Sequence, residues 1–358
     1  MKVLIPSFYL VIFLLFSNCS TNETVIEDVT EIESVYFPPI DGTNWETKSI
    51  NSINWNESQL QPLLDYLEEK NTKGFIVLHN GKIVIENYFN NHDVESNWYW
   101  ASAGKTLTTA ISGIAQDENL ININNKVSDY LGTGWTSASI AKEQLITCEN
   151  LLSMTTGLDD SLGDSVLPEN LQYLEDAGQR WSYHNVFVKM QDVIAIASNQ
   201  SWSNYFNTKL RDKIGMSGVW IPFSDLSVYW SNTRSMARFG LLMSVNGKWE
   251  TSQIIPENFI NEATSTSQDI NKAYGYLWWL NGKNSYHLPQ SQFEFNGELI
   301  PNAPSDMFAA LGKNDQKIYV VPSKDLVIVR MGEAADNSNF ALSIFDNDLW
   351  EKINLLID

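Results

Sequence analysis

The chain is short of the residues on which several kinds of chemistry depend. Its 358 residues include two cysteines, Cys19 and Cys148, without CxxC spacing, and four histidines, His79, His92, His184 and His287, far apart in sequence. Neither a structural zinc site nor a disulfide framework is indicated, and no metal or other cofactor is expected. Arginine is scarce at five residues, and 23 lysines and arginines face 43 aspartates and glutamates, a formal charge of −20. With no basic stripe to neutralise phosphates, nucleic acid is not an expected partner. No G-x-S-x-G occurs, so the nucleophile elbow of many Ser-His-Asp hydrolases is missing. The apolar run from Val3 to Phe16 is too short to span a bilayer, which takes ~20 residues.

What is present is a core-forming composition. Hydrophobic residues make up 43% against 18% charged, and 13 Trp, 14 Tyr and 16 Phe are spread along the chain, which excludes a disordered polypeptide. The apolar run follows Lys2 and reads as a signal peptide over residues 1–18. Its end, Leu15-Phe16-Ser17-Asn18-Cys19, resembles a bacterial lipoprotein signal, in which Cys19 becomes the acylated N-terminus. The expectation is export to the bacterial cell envelope, with membrane contact through this anchor only. Residues 19–50, rich in Thr, Asn, Glu, Ser and Pro, read as a tether ahead of a body at 51–358. Cys148, among Ile146, Leu151 and Leu152, reads as a small buried apolar residue.

Apolar spacing predicts a helix over 58–70 and a β-hairpin with strands at 74–78 and 82–88 around Asn80-Gly81. A small-residue helix follows from 102 to about 120, then mainly helical segments with loops. Strands are expected at 274–279, 317–321 and 326–330, and a last helix over 340–357. One sheet built from about 51–100 and 270–358, with a helical part at about 101–269, fits this order.

An exported enzyme without metal ligands or an elbow needs a side-chain nucleophile activated in another way. Ser102 and Lys105 form an S-x-x-K pair on one side of a predicted helix start, close to helix-end N–H groups. A lysine takes the serine proton only if its surroundings lower its pKa from ~10.4. Ser139-Ile140-Ala141-Lys142 is a second match, but it follows Gly132-Thr133-Gly134 and precedes Glu143-Gln144, as on an exposed turn. Downstream, Tyr183-His184-Asn185 supplies a Y-x-N triplet: a phenol beside the lysine can shuttle the proton, and an Asn amide can bind lysine and a substrate carbonyl. Tyr88-Phe89-Asn90 and Tyr205-Phe206-Asn207 also match, but only Tyr183 carries the Gly178-x-x-Trp181 lead-in.

Together these residues resemble serine hydrolases related to class C β-lactamases and D-alanyl-D-alanine carboxypeptidases. The resemblance runs over about 74–329 and includes SAGK, the segments 146–160, 178–185 and 232–243, and YGYLWW at 274–279. Residues 308–330 are most similar to enzymes grouped with 6-aminohexanoate-dimer hydrolases, esterases and amidases. It implies a β-lactamase/transpeptidase-like α/β (α+β) fold: an antiparallel sheet flanked by helices from both chain ends, plus an all-helical insertion domain. It also implies Ser102 as nucleophile, Lys105 as base and Tyr183 as proton shuttle. The family's third motif, usually Lys-Thr-Gly, is absent; by position Ala310-Leu311-Gly312, followed by Lys313, stands in its place. Gly312 permits close approach, and the Lys313 and Ser102 N–H groups can form an oxyanion hole. Alternatively the Lys313 side chain attracts an anionic group, or is a plain loop charge. The leading expectation is hydrolysis of a small amide or ester. A cell-wall D,D-carboxypeptidase or β-lactamase, and a non-catalytic surface binding lipoprotein, are the alternatives.

Overall fold

A computed structural model describes residues 34–336 and 342–358; Cys19, the signal segment and the first part of the expected tether lie outside them. The body is built on a six-stranded sheet whose strands, numbered in chain order, are β1 (Thr72–His79), β2 (Lys82–Tyr88), β3 (Trp279–Leu280), β4 (Phe308–Gly312), β5 (Gln316–Val321) and β6 (Leu326–Gly332). Their order is β2-β1-β6-β5-β4-β3, and all pairings are antiparallel. Asn80 and Gly81 turn β1 into β2 with φ of 49° and 81°, both in the left-handed region that a two-residue hairpin turn of matching twist requires.

Five helices matter for the site: α1 (Leu60–Glu69), α2 (Lys105–Asp117), α3 (Val188–Ser198), α4 (Thr233–Ser244) and α5 (Ile344–Ile357). Side chains alternate across a strand, and that alternation assigns the sheet its two layers. Ile318 and Val327 face Gly240 of α4, where an added Cβ would lie 2.4 Å from Val327. The neighbouring Lys317 and Tyr319 point the opposite way, to the Asp346 carboxylate of α5, at 2.8 and 2.6 Å. Helix α5 in turn meets α1 through the stacked rings of Phe345 and Tyr66, 5.9 Å apart. Arg330 is fully buried and ties the sheet end together, donating to Thr72 Oγ1 and to the carbonyls of Lys70, Asn314, Asp315 and Glu333. Every carbonyl in that set needs a donor once it leaves water.

Besides a short hairpin of Lys248–Trp249 with Ser252–Gln253, the region between β2 and β3 differs from an all-helical insertion in two larger respects. Helix α4 lies on the main sheet, against β1, β5 and β6. Val219–Phe223 and Leu226–Ser231 form a hairpin that joins Trp98–Tyr99 in a three-stranded sheet, because this stretch is rich in the aromatic and branched residues that suit a pleated surface. Upstream, part of the segment expected as tether is held on the body. Trp45 Nε1 donates to the Gly81 carbonyl at 2.8 Å, and Arg238 donates to the Pro39 carbonyl at 2.7 Å. Among the described residues no helix is long and apolar enough to cross a membrane.

Candidate active site

Trp98–Tyr99 leads through Trp100 into a tight 3-10 turn, Ala101–Gly104, which runs directly into α2. Ala101 enters at φ 47°, a left-handed conformation that costs a residue with a Cβ ~1–2 kcal/mol and that the packing around the turn sustains. The Trp100 N–H is fixed on the Tyr229 carbonyl at 2.9 Å and its indole on Ser231 Oγ at 2.7 Å. Ser102 therefore sits at the positive end of a thirteen-residue helix, and Lys105 opens its first turn. The Lys105 ammonium donates to Ser102 Oγ at 2.7 Å.

Lys105 is 3% exposed, and its nitrogen lies 5.1 Å from the centre of the Tyr183 ring and 4.8 Å from that of Phe187. Burial brings its pKa down to about 7, against the opposing pull of the Asp164 carboxylate. A base poised near neutrality is what removal of a serine proton requires. Tyr183 is also buried, and burial pushes its phenol up to about 12, a hydrogen bond with Ser102 working the other way. At neutral pH it is a phenol and not a tyrosinate. Behind it stand Trp181, Tyr274 and Trp279, packed mostly edge to face at 4.8–6.2 Å, which fix the ring and keep water out. Burial and the nearby Lys105 charge bring His184 down to about 4, so it adds no positive charge at neutral pH.

The other predicted residues fall as follows. Asn185 does not reach Lys105: its amide donates to the backbone carbonyl and carboxylate of Asp164, at 3.3 and 3.2 Å. Through that contact it holds in place the carboxylate that acts on Lys105. Leu311 and Gly312 end β4, both buried, and Gly312 presses against the turn that carries Ser102. A Cβ there would lie 2.6 Å from the Trp100 carbonyl and 2.9 Å from the Ala103 nitrogen. Lys313 follows in the exposed turn to β5, beside Asn314, whose amide donates to the Tyr99 hydroxyl at 2.7 Å. Among the described residues neither the Ser102 N–H nor the Lys313 N–H has an acceptor.

The competing matches lie elsewhere. Ser139 begins the short helix Ile140–Glu143, and Lys142 pairs with Asp176. Tyr88 donates to Glu86 and Tyr205 to Glu118. Cys148 is buried, its thiol raised to about 12 by burial. Sequence reasoning missed Asp164 and Phe187, which carry no motif, and the Arg180 to Asp160 ion pair at 2.7 Å beside Trp181. Its two halves stood in segments already singled out, GLDD and GQRW, without a sign that they meet.

A profile of the family described as Beta-lactamase matches residues 66–342. The chain belongs to the beta-lactamase family. Family and fold make it a serine hydrolase. Among solved structures, a Bacillus anthracis protein provisionally described as a 6-aminohexanoate-dimer hydrolase superposes with a TM-score of 0.69 at 20% identity, over 91% of this chain and 92% of that one. A class C beta-lactamase from Rhodobacter sphaeroides gives 0.59 at 13% identity, over 84% and 98%. A hydrolase with promiscuous acyltransferase activity gives 0.62 at 11%, also over 84% and 98%. At these identities the likeness is one of fold. No curated protein matches the chain.

Proposed function

We propose that the protein hydrolyses a small amide or ester through an acyl-enzyme on Ser102. The observation that carries this is the 2.7 Å contact of Lys105 with Ser102 Oγ inside a niche dry enough to bring the lysine down to about 7. Neutral Lys105 takes the hydroxyl proton as Oγ bonds to the substrate carbonyl carbon. The negative charge that develops on the carbonyl oxygen meets the N–H groups of Ser102 and of Lys313, the residue after Gly312, where one donor of this kind contributes ~10²–10³ in rate. As the carbon–leaving-group bond breaks, Tyr183 gives its proton to the departing amine or alcohol and is reprotonated from Lys105. Water then attacks the ester, its proton passes to Lys105, and Ser102 is released with its own proton restored.

A site that had lost turnover would have no reason to keep a lysine desolvated at such cost, which weighs against a purely binding role. The missing Lys-Thr-Gly weighs against a cell-wall peptidase or β-lactamase. Export with a lipid on Cys19 is part of the proposal and rests on residues 1–19; the mass of the mature N-terminal peptide from membranes tests it. For the chemistry, wild type and Ser102→Ala are compared on short p-nitrophenyl esters, a linear amide dimer, a D-Ala-D-Ala peptide and a chromogenic cephalosporin. Turnover of an ester or the amide dimer that vanishes in Ser102→Ala is expected. Equal rates in both proteins would overturn the assignment, and preference for the peptide or cephalosporin would shift it to the cell wall.

A further inference from the structure

The three-stranded sheet beside the nucleophile has two faces of different fate. Register places Trp220 opposite Tyr229, and this face is packed on Trp202 and Phe206, with ring centres about 5.1–5.5 Å apart. The alternate residues form the other face: Tyr99 and Val219 flank Trp230, Ile221 lies opposite Val228, and Phe223 opposite Leu226. All are apolar or aromatic, and none is fully buried. Val219, Ile221 and Phe223 are 56%, 41% and 67% exposed. Single exposed apolar residues are ordinary; three successive rows on one face are not.

Position connects this face with the proposed catalytic residues. It begins at Tyr99, three residues before Ser102, and the Tyr99 hydroxyl is bonded to Asn314 next to Lys313. It ends at the turn after Phe223, where Asp225 accepts from Ser165, the neighbour of Asp164. Both ends of the face thus adjoin segments that contribute to the Ser102 site. From Val219 to Phe223 it spans ~13 Å at the rise of an extended strand.

We infer that this face is a subsite for an unbranched aliphatic chain carried by the substrate, so that the hydrolase acts on esters or amides with a medium-length alkyl or acyl group. The inference rests on the function proposed above. The rows carry no charge, which suits a hydrocarbon, and their continuity with the nucleophile turn suits one attached to the scissile group. A second copy of the chain is the weaker occupant, since Val219–Phe223 is an edge strand and Pro222 lacks the N–H that an added strand would bond. An anionic bilayer is disfavoured by the net charge of −20.

The test is a p-nitrophenyl alkanoate series from two to ten carbons, below micelle-forming concentrations, with wild type, Ile221→Ser/Phe223→Ser and Ser102→Ala. In wild type kcat/KM should rise about two- to four-fold per methylene until the face is filled, the upper figure being full burial at ~0.8 kcal/mol each. In the double variant the slope should flatten while the two-carbon rate and the melting temperature stay unchanged. A flat wild-type series, or equal slopes in both proteins, would overturn the subsite even if the acetate ester is cleaved. Loss of all Ser102-dependent turnover would count against the proposed function instead, and the subsite would then be read from quenching of tryptophan fluorescence by a brominated decanoate. Quenching reduced at least five-fold in the double variant upholds it; equal quenching overturns it. Binding of wild type but not the double variant to phosphatidylcholine vesicles, with a flat ester series, would reassign the face to a membrane.

Discussion

Gly312 and Trp100 are so close that the glycine has no room for a side chain: a Cβ would stand 2.6 Å from the Trp100 carbonyl oxygen. The atom it would strike is backbone, held by the Trp100 N–H bond to Tyr229, so the strand and not the clash must give way. Gly312→Ala is therefore expected to push β4 from the Ser102 turn, lowering kcat at least 10²-fold by misplacing the Lys313 N–H, with KM less affected. Steady-state kinetics on a short ester checks this, and an unchanged kcat would separate β4 from the reaction.

Lys105 links activity and stability to pH. With its pKa lowered to about 7, kcat/KM should climb tenfold per unit below that value and level off above it if the neutral amine is the base, as proposed. For stability the sign follows from the unfolded value of ~10.4: between pH 7 and 10.4 the unfolded chain carries a proton that the folded one lacks, so stability increases with pH across that window. Lys105→Met removes the charge that must be desolvated. It should abolish turnover yet stabilise the fold at pH 7 by about 2 to 4 kcal/mol, a gain that shrinks toward pH 10. Denaturant unfolding of both proteins at pH 7 and 9.5 reads the difference, and a destabilised variant would contradict the desolvation account.

The second S-x-x-K offers a control within the chain. Ser139 is exposed, and Lys142 forms a partly exposed ion pair with Asp176. Ser139→Ala and Lys142→Ala should leave kcat/KM within about two-fold and stability within ~1 kcal/mol. A hundredfold loss in either would move the chemistry away from Ser102.

Across the sheet, Lys317 meets Asp315 at 3.1 Å and Asp346 at 2.8 Å, with all three side chains buried. Asp346 also accepts from the Tyr319 hydroxyl and the Ser343 N–H, so Asp346→Asn breaks one of the two buried ion pairs of Lys317 and weakens two further bonds, and should cost about 3–5 kcal/mol. The effect belongs to the attachment of α5 and not to the reaction: protein that remains folded should show ordinary kcat. Thermal unfolding and kinetics on the same sample separate the two.

Sequence was most readable where local chemistry decides the structure. Asn80-Gly81 announced its hairpin because few other pairs accept two left-handed residues, and Ser102 and Lys105 lie within one turn of each other whatever the tertiary fold. Tyr183 was chosen from three candidates by its lead-in, and the niche around Lys105 agrees in geometry: its ring is there, while Tyr88 and Tyr205 are engaged with glutamates. What was hidden depends on distant partners. Asn185 was expected to serve Lys105, but it opens the 3-10 turn Asn185–Phe187 and takes Asp164 instead. Residues 274–279 resembled a strand, yet only Trp279–Leu280 joins the main sheet, because Leu277 at φ 60° and the bond from the Gly275 N–H to the Trp278 carbonyl fold the stretch back, so that Tyr274 bridges Trp279. The Val219–Ser231 hairpin went unread since its inward aromatics find their partners in Trp202 and Phe206, outside it.

The pairing of β1 with β6 has a bearing on how the molecule comes to be. Phe75 lies opposite Arg330, so the sheet joins strands far apart in sequence, and the segment carrying Ser102 and Tyr183 is strung between them. Closing so long a loop gives no local reward on the way, which makes for slow folding. Until β6 arrives, β1 has an open edge and Arg330 is missing from the carbonyls it serves. A chain still emerging from the ribosome thus remains without its sheet centre until β6 has been made, and any shortened product ending before Leu326 would display an unpaired, apolar strand to its neighbours.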